Sequence, residues 1–225
     1  MKGFITIFIL LGINLISQEF IVEKVSGDVK YLRGSKSSWE KVIPGSKLLA
    51  DDFIETDEKS FIQLNKDGKK FMLSSSSALG LNYIKEISLN DLLLALAMEE
   101  IRNVPQKKNE TNISNTAVYG SKIKNKEDVY TNDFEHGLKR LNGAKQLNEF
   151  GYSKSAVIAA KETYRNYPST KKLIDERLYF ADILIQLKLF EEALTELNNI
   201  KENSIDEKDI NLVQERINKV KLEML

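Results

Sequence analysis

The sequence contains no cysteine. This removes disulfides, thiolate metal sites, thiol nucleophiles and the acylated cysteine of a bacterial lipoprotein signal. Stability must therefore come from packed cores. Histidine occurs once, at His136, tryptophan once, at Trp39, and proline at only three positions, Pro44, Pro105 and Pro168. An excess of charge of either sign is also missing, since 33 basic residues balance 33 acidic ones, and no segment carries a large imbalance. A polyanion-binding stripe is not supported, and nucleic acid is not an expected partner. No apolar run reaches the roughly 20 residues that a membrane-spanning helix needs.

The longest apolar run is Phe4 to Ile16, preceded by Met1-Lys2-Gly3. One positive charge followed by such a run is the layout of a secretory signal, so residues 1–18 are expected to be a signal peptide cleaved near Ser17 or Gln18. Leu15-Ile16-Ser17 makes a poor small-x-small site, which leaves an uncleaved anchor as the alternative. An exported chain without disulfides, rich in Lys, Asn, Ile and Leu, fits a bacterial periplasm or cell envelope. The sequons at Asn109 and Asn112 then read as chance matches.

Residues 19–102 read as an all-β region with one closing helix. Phe20-Ile21-Val22, Val29-Lys30-Tyr31-Leu32, Phe61-Ile62-Gln63-Leu64 and Phe71-Met72-Leu73 are short runs of strand type. Asp67-Gly68 has the composition of a tight hairpin turn, and Gly27-Asp28, Pro44-Gly45 and Asp51-Asp52 punctuate the rest. Ser88, with Asp91 three residues on, predicts an N-cap for a helix carrying Leu89, Leu92, Leu93, Leu96 and Met98 up to Arg102. Residues 103–131, with Pro105, several Asn and Ser, and no sustained period, read as a flexible polar linker.

From 132 to 225 the period is helical. Leu138, Leu141, Ala144 and Leu147 form one stripe; Ala156, Val157, Ala160 and Tyr164 a second; Leu178, Ala181, Leu184 and Ile185 a third; Phe190, Ala193, Leu194 and Leu197 a fourth. A last helix from about Asp206 to Met224 carries Ile210, Val213, Ile217 and Val220 on one face. Breaks at Gly151, Pro168-Ser169 and Lys188 suggest stacked antiparallel hairpins, closed by that amphipathic helix as a cap.

No catalytic set emerges. His136 stands beside Asp133 and Glu135, but these neighbours diverge on a helix, and one imidazole without other His or Cys is a weak metal set. Asp51, Asp52, Glu55, Asp57 and Glu58 crowd together without EF-hand spacing and read as solvated turn residues. Ser74 to Ser77 lacks a nucleophile elbow or a base and reads as a turn. Gly34-Ser35-Lys36-Ser37 lacks the spaced first glycine of a phosphate loop. No cofactor or metal is expected, and the chain is not expected to be an enzyme.

Two resemblances add to this. Ser26-Gly27-Asp28-Val29, then Trp39-Glu40-Lys41-Val42, Pro44-Gly45, Leu48-Leu49, Asp52 to Asp57, Ser60 to Leu64, Asp67-Gly68 and Leu73 occur in an order that resembles the FecR domain family over about residues 20–83. That resemblance implies an extracytoplasmic binding module. In the family's sensor proteins a cytoplasmic helical region acts on a sigma factor; Met1-Lys2-Gly3 before the apolar run does not resemble it, so only the binding role is expected to carry over. It also places Trp39 at a shared motif position, which favours core packing over an exposed binding aromatic.

The helical region looks like tetratricopeptide (TPR) repeats: Ala181, Leu184, Phe190 and Ala193 hold the spacing, preceded by Ala144, Leu147, Tyr152, Ala156, Ala160 and Pro168. Tyr167-Pro168-Ser169 is similar to the turn of envelope TPR proteins involved in outer-membrane or cell-wall assembly. Alignment of Ala144 with Ala181 places Lys145, Asn148, Asp175, Asp182 and Gln186 on a concave partner-binding face. Together these readings predict an exported, non-enzymatic binding or scaffold protein of the cell envelope, whose two modules engage envelope proteins, peptides or a cell-wall polymer. The alternative is a membrane-anchored periplasmic sensor in FecR-type signalling.

Overall fold

In the computed structural model, residues 19–34, 38–103, 126–204 and 206–225 are described. The expected signal peptide and most of the expected linker lie outside them. Eight short strands come first: β1 (Glu19–Ser26), β2 (Val29–Leu32), β3 (Trp39–Lys41), β4 (Lys47–Leu49), β5 (Phe53–Thr56), β6 (Phe61–Lys66), β7 (Lys69–Leu73) and β8 (Ser77–Gly80). They form two antiparallel four-stranded sheets, ordered β4-β1-β6-β7 and β3-β2-β5-β8. Alternation along the strands turns Phe20, Val22, Val29, Ile54, Ile62, Leu64, Phe71 and Leu73 into a common core, each at most 2% exposed. Asp67 and Gly68 take positive φ of 53° and 81°, the conformation of the type I′ hairpin that their composition predicts. At the β1–β2 corner Gly27 has φ 75°, and a Cβ there would strike Ser60. The Ser60 hydroxyl instead accepts the Asp28 backbone N–H at 2.9 Å.

Six α-helices follow among the described residues: α1 (Leu89–Asn103), α2 (Lys126–Glu149), α3 (Ser153–Asn166), α4 (Ile174–Gln186), α5 (Phe190–Asn203) and α6 (Glu207–Glu223). The chain thus combines an N-terminal β-region with a C-terminal helical region. Ser88 caps α1, its hydroxyl accepting from the Asp91 N–H at 3.1 Å while the Asp91 carboxylate accepts from the Ser88 N–H at 3.2 Å. α2 begins at Lys126, inside the stretch expected as linker. From α2 to α6 each helix packs on the next. Ala144, Ala156, Ala160, Ala181 and Ala193 are fully buried, small side chains that let helix axes approach closely. α6 covers the far end, burying Val213, Ile217 and Val220 against Leu178, Ala181, Leu197 and Ile200.

The β-region and the helices are not two beads on a string. One continuous core runs from Phe20 and Ile54 through Leu79 and Leu81 to Leu141, Ala144, Val157 and Leu184. α2 lies along β8, and Gly143 is the contact point: a Cβ there would run into the Ala78 carbonyl. Helix-interior glycine costs about 1 kcal/mol relative to alanine, so its presence here reflects the close approach of helix backbone to strand. Polar contacts pin the same joint. Gln146 accepts the Ser74 N–H at 2.5 Å and donates to the Ser77 hydroxyl at 2.7 Å, and Asn142 donates to the Ser76 carbonyl at 2.8 Å. α1, expected to close the β-region, lies against α3, with Glu99 accepting from Arg165 at 2.7 Å. It therefore ties the β-region to the helices.

Candidate functional site

The joint leaves an open cleft of about 640 Å³ lined by Lys30, Trp39, Glu55, Asp133, His136 and Tyr167. Strand alternation positions the β-side groups. Ile54 and Thr56 point into the core, so Phe53 and Glu55 face outward. The register sets Leu32 opposite both Trp39 and Phe53, and Lys30 opposite Glu55. On the helical side Asp133, His136 and Arg140 recur at i, i+3 and i+7, one face of α2. Gly137 has no room for a side chain, because a Cβ would meet Thr170 and Tyr167; this closeness seats Tyr167, which opens the one-turn helix at Pro168–Lys172, beside His136.

Glu55 is the electrostatic centre. Lys139 Nζ lies 2.6 Å from its Oε1 and His136 Nδ1 lies 3.3 Å from its Oε2. Burial by itself would raise the Glu55 pKa, but hydrogen bonds to His136 and Lys139 and the Lys139 charge outweigh it and hold the carboxyl down at about 2. Lys139 also reaches Asp57 at 2.7 Å, and Lys30 pairs with Asp28 at 3.0 Å and Asp57 at 3.7 Å. The Arg140 guanidinium covers the rings of Phe53 (5.0 Å) and Tyr167 (5.7 Å) and reaches Glu162 at 3.1 Å. Burial, partly opposed by Arg140, raises the Tyr167 pKa. With its carboxyl held low, Glu55 is an ion-pair partner of Lys139 at neutral pH.

Several residues sit differently from expectation. Trp39, expected in the core, is 41% exposed at the cleft rim, with its ring edge-on to Phe53 at 6.2 Å. The acidic group from Asp51 to Glu58 is dispersed rather than uniformly solvated. Asp52 is buried, accepting the Leu49 N–H at 2.8 Å beside Arg33 at 3.6 Å, while Glu55 and Asp57 hold Lys139. The four-serine tract is a turn only in part, since Ser77 opens β8 and is buried. Among the described residues no group of His, Cys, Asp and Glu could hold a metal ion, and no helix is long and apolar enough to cross a membrane.

The five residues expected on a concave face lie on α2 and α4. Lys145 pairs with Glu176 and lies 5.6 Å from the Tyr179 ring, Asn148 donates to the Tyr179 hydroxyl at 2.9 Å, and Asp182 pairs with Arg216 of α6 at 2.9 Å. These three are engaged with other helices of the chain; Asp175 and Gln186 are exposed. Local sequence reasoning missed Lys139, Arg140, Tyr167 and Gln146 as partners of the β-region. Tyr167 stood out only as part of a turn, and nothing local marks the others.

No family model, curated protein or solved structure matches this chain.

Proposed function

We propose that the chain is an exported, non-enzymatic binding or scaffold protein of the bacterial cell envelope, in which a FecR-like β-region and TPR-like helical hairpins present their partner surfaces as one body. The observation that carries this reading is the continuous core across the joint, reinforced by the Lys139 bridge from Glu55 to Asp57. Surfaces fixed to one core keep a set spacing and need no further ordering when both are engaged, which lowers the entropic cost of binding. Exposed Asp175 and Gln186 on α4 are the positions where a protein or peptide partner meets the helices, and the paired Lys145, Asn148 and Asp182 shape the surface beside them.

Photo-crosslinking residues placed at Asp175 and Gln186, in the full chain expressed in a bacterial envelope, test the reading. One partner band recovered from both positions, and not from a control at exposed Lys171, supports it. Absence of a band at both positions, with the chain in the periplasmic fraction, counts against it.

A further inference from the structure

We infer that the cleft between β2, β3 and α2 binds a neutral glycan chain, one sugar ring lying on Trp39 and its hydroxyls meeting Glu55, Asp133, Lys30 and His136. This rests on the reading of the chain as an envelope binding protein and gives it a ligand class.

The ion pairs already made in the cleft narrow the class. Lys30 and Lys139 are bonded to Asp28, Glu55 and Asp57, so an anionic ligand would have to displace carboxylates already in place. A cationic ligand fares no better. The Phe53 and Tyr167 rings that could cage it are covered by Arg140, and Lys30, Lys139 and Arg140 already supply positive charge nearby. Trp39 is different, for it keeps 41% of its surface open at the rim, buttressed from one side by Phe53. A large exposed aromatic with a polar tip is an anchor suited to ligands that are apolar on one face and polar at the edges, and a pyranose ring has that form.

Hydrogen-bonding capacity points the same way. A carboxylate offers about four lone-pair sites and a lysine ammonium three donors. Glu55 spends sites on Lys139 and His136 and keeps others, Lys30 keeps a donor beyond its two carboxylate partners, and His136 keeps its second ring nitrogen. Donors from Lys30 and His136 and acceptors from Glu55 and Asp133 line the same cleft, which suits hydroxyl groups that can both donate and accept. The cleft volume of about 640 Å³ falls within the usual ligand-pocket range of roughly 300–1,000 Å³, room for more than one ring.

Trp39 is the only tryptophan, so its fluorescence reports on the cleft alone. The full chain is titrated with two neutral soluble probes, tetra-N-acetylchitotetraose and cellotetraose, with heats measured in parallel by calorimetry. Saturable binding of at least one glycan is expected, with a shift in Trp39 emission and a loss of about tenfold or more in affinity for Trp39→Ala, measured by calorimetry. Asp133→Asn, at an exposed position, should weaken binding without altering the circular dichroism spectrum and serves as the second variant. Three results overturn the proposal: no heat and no emission change with either glycan at millimolar concentration, binding that both variants leave unchanged, or a charged peptide that shifts Trp39 emission where neither glycan does. None of these bears on crosslinking at Asp175 and Gln186, so the glycan site and the scaffold reading can fail separately.

Discussion

The joint between the β-region and α2 shares its apolar core with the joints between helices but adds a close approach of backbone to backbone. Helix meets helix through alanine and leucine, with Leu178, Ala181, Leu197 and Val213 forming an apolar seam at the α4–α6 end, and through side-chain ion pairs such as Arg177–Glu196 and Asp182–Arg216. The β-region meets α2 through a glycine laid on a strand carbonyl, a glutamine bridging two serines, and a lysine shared by two carboxylates. Apolar burial is non-directional and tolerates small adjustments. Close backbone approach and charge-assisted hydrogen bonds do not. Apolar burial runs through both joints, and the glycine and glutamine contacts fix where the sheets sit against α2 beside the cleft.

Substitutions that strike one kind of joint and spare the other can break this comparison. The largest effect is expected for Gly143→Leu, which places a bulky side chain against the Ala78 carbonyl. We expect a loss of more than about 3 kcal/mol, with thermal unfolding splitting into separate β-region and helical transitions by calorimetry. Within the helices, Arg177→Ala removes a buried guanidinium that donates to Glu196 at 2.8 Å and to Asn199 at 2.7 Å. Lys161 remains to pair with Glu196, so a loss of about 3 kcal/mol is expected in urea, with unfolding still a single transition.

Glu55→Gln is the pH-resolved test. Because the folded-state pKa is depressed to about 2, the stabilisation is fully present above the unfolded value near 4.5 and is lost as pH falls toward 2. At pH 7 the variant should be less stable by about 2–3 kcal/mol. The gap should close progressively below about pH 4.5, and urea midpoints measured across that window check it. A smaller effect, about 1–2 kcal/mol, is expected for Gln146→Leu, which leaves the Ser74 N–H and the Ser77 hydroxyl short of a partner. Trp39→Phe should be the mildest, within about 0.5 kcal/mol, as befits a rim residue. A larger loss would return Trp39 to a core role.

Much of the architecture was legible in the residues. The helical stripes from Leu138 to Val220, the Ser88–Asp91 capping box and the Asp67-Gly68 hairpin are signals that lie within a few positions of one another, and each appears as an element in the structure. β8 was not legible, because Ser77-Ala78-Leu79-Gly80 is buried on both faces and shows no alternation, and it follows a serine tract that looks like a turn. The start of α2 was also missed, since residues 126–131 lack the apolar period that marks a helix. The cleft was legible only as scattered oddities, a lone histidine, a lone tryptophan and a run of acids.

By itself the sequence determined four of the strands, the helices apart from the start of α2, the main turns and the β-then-α order, because alternation, capping and positive-φ glycine act over short separations along the chain. Only the tertiary structure decided that Glu55 and His136, 81 positions apart by number (136 − 55), face each other, that Gly143 must be bare, and that Trp39 stands at a rim instead of in a core. Those outcomes depend on how closely two surfaces approach and on which charges then share a low-dielectric joint, and both are set by packing across the molecule.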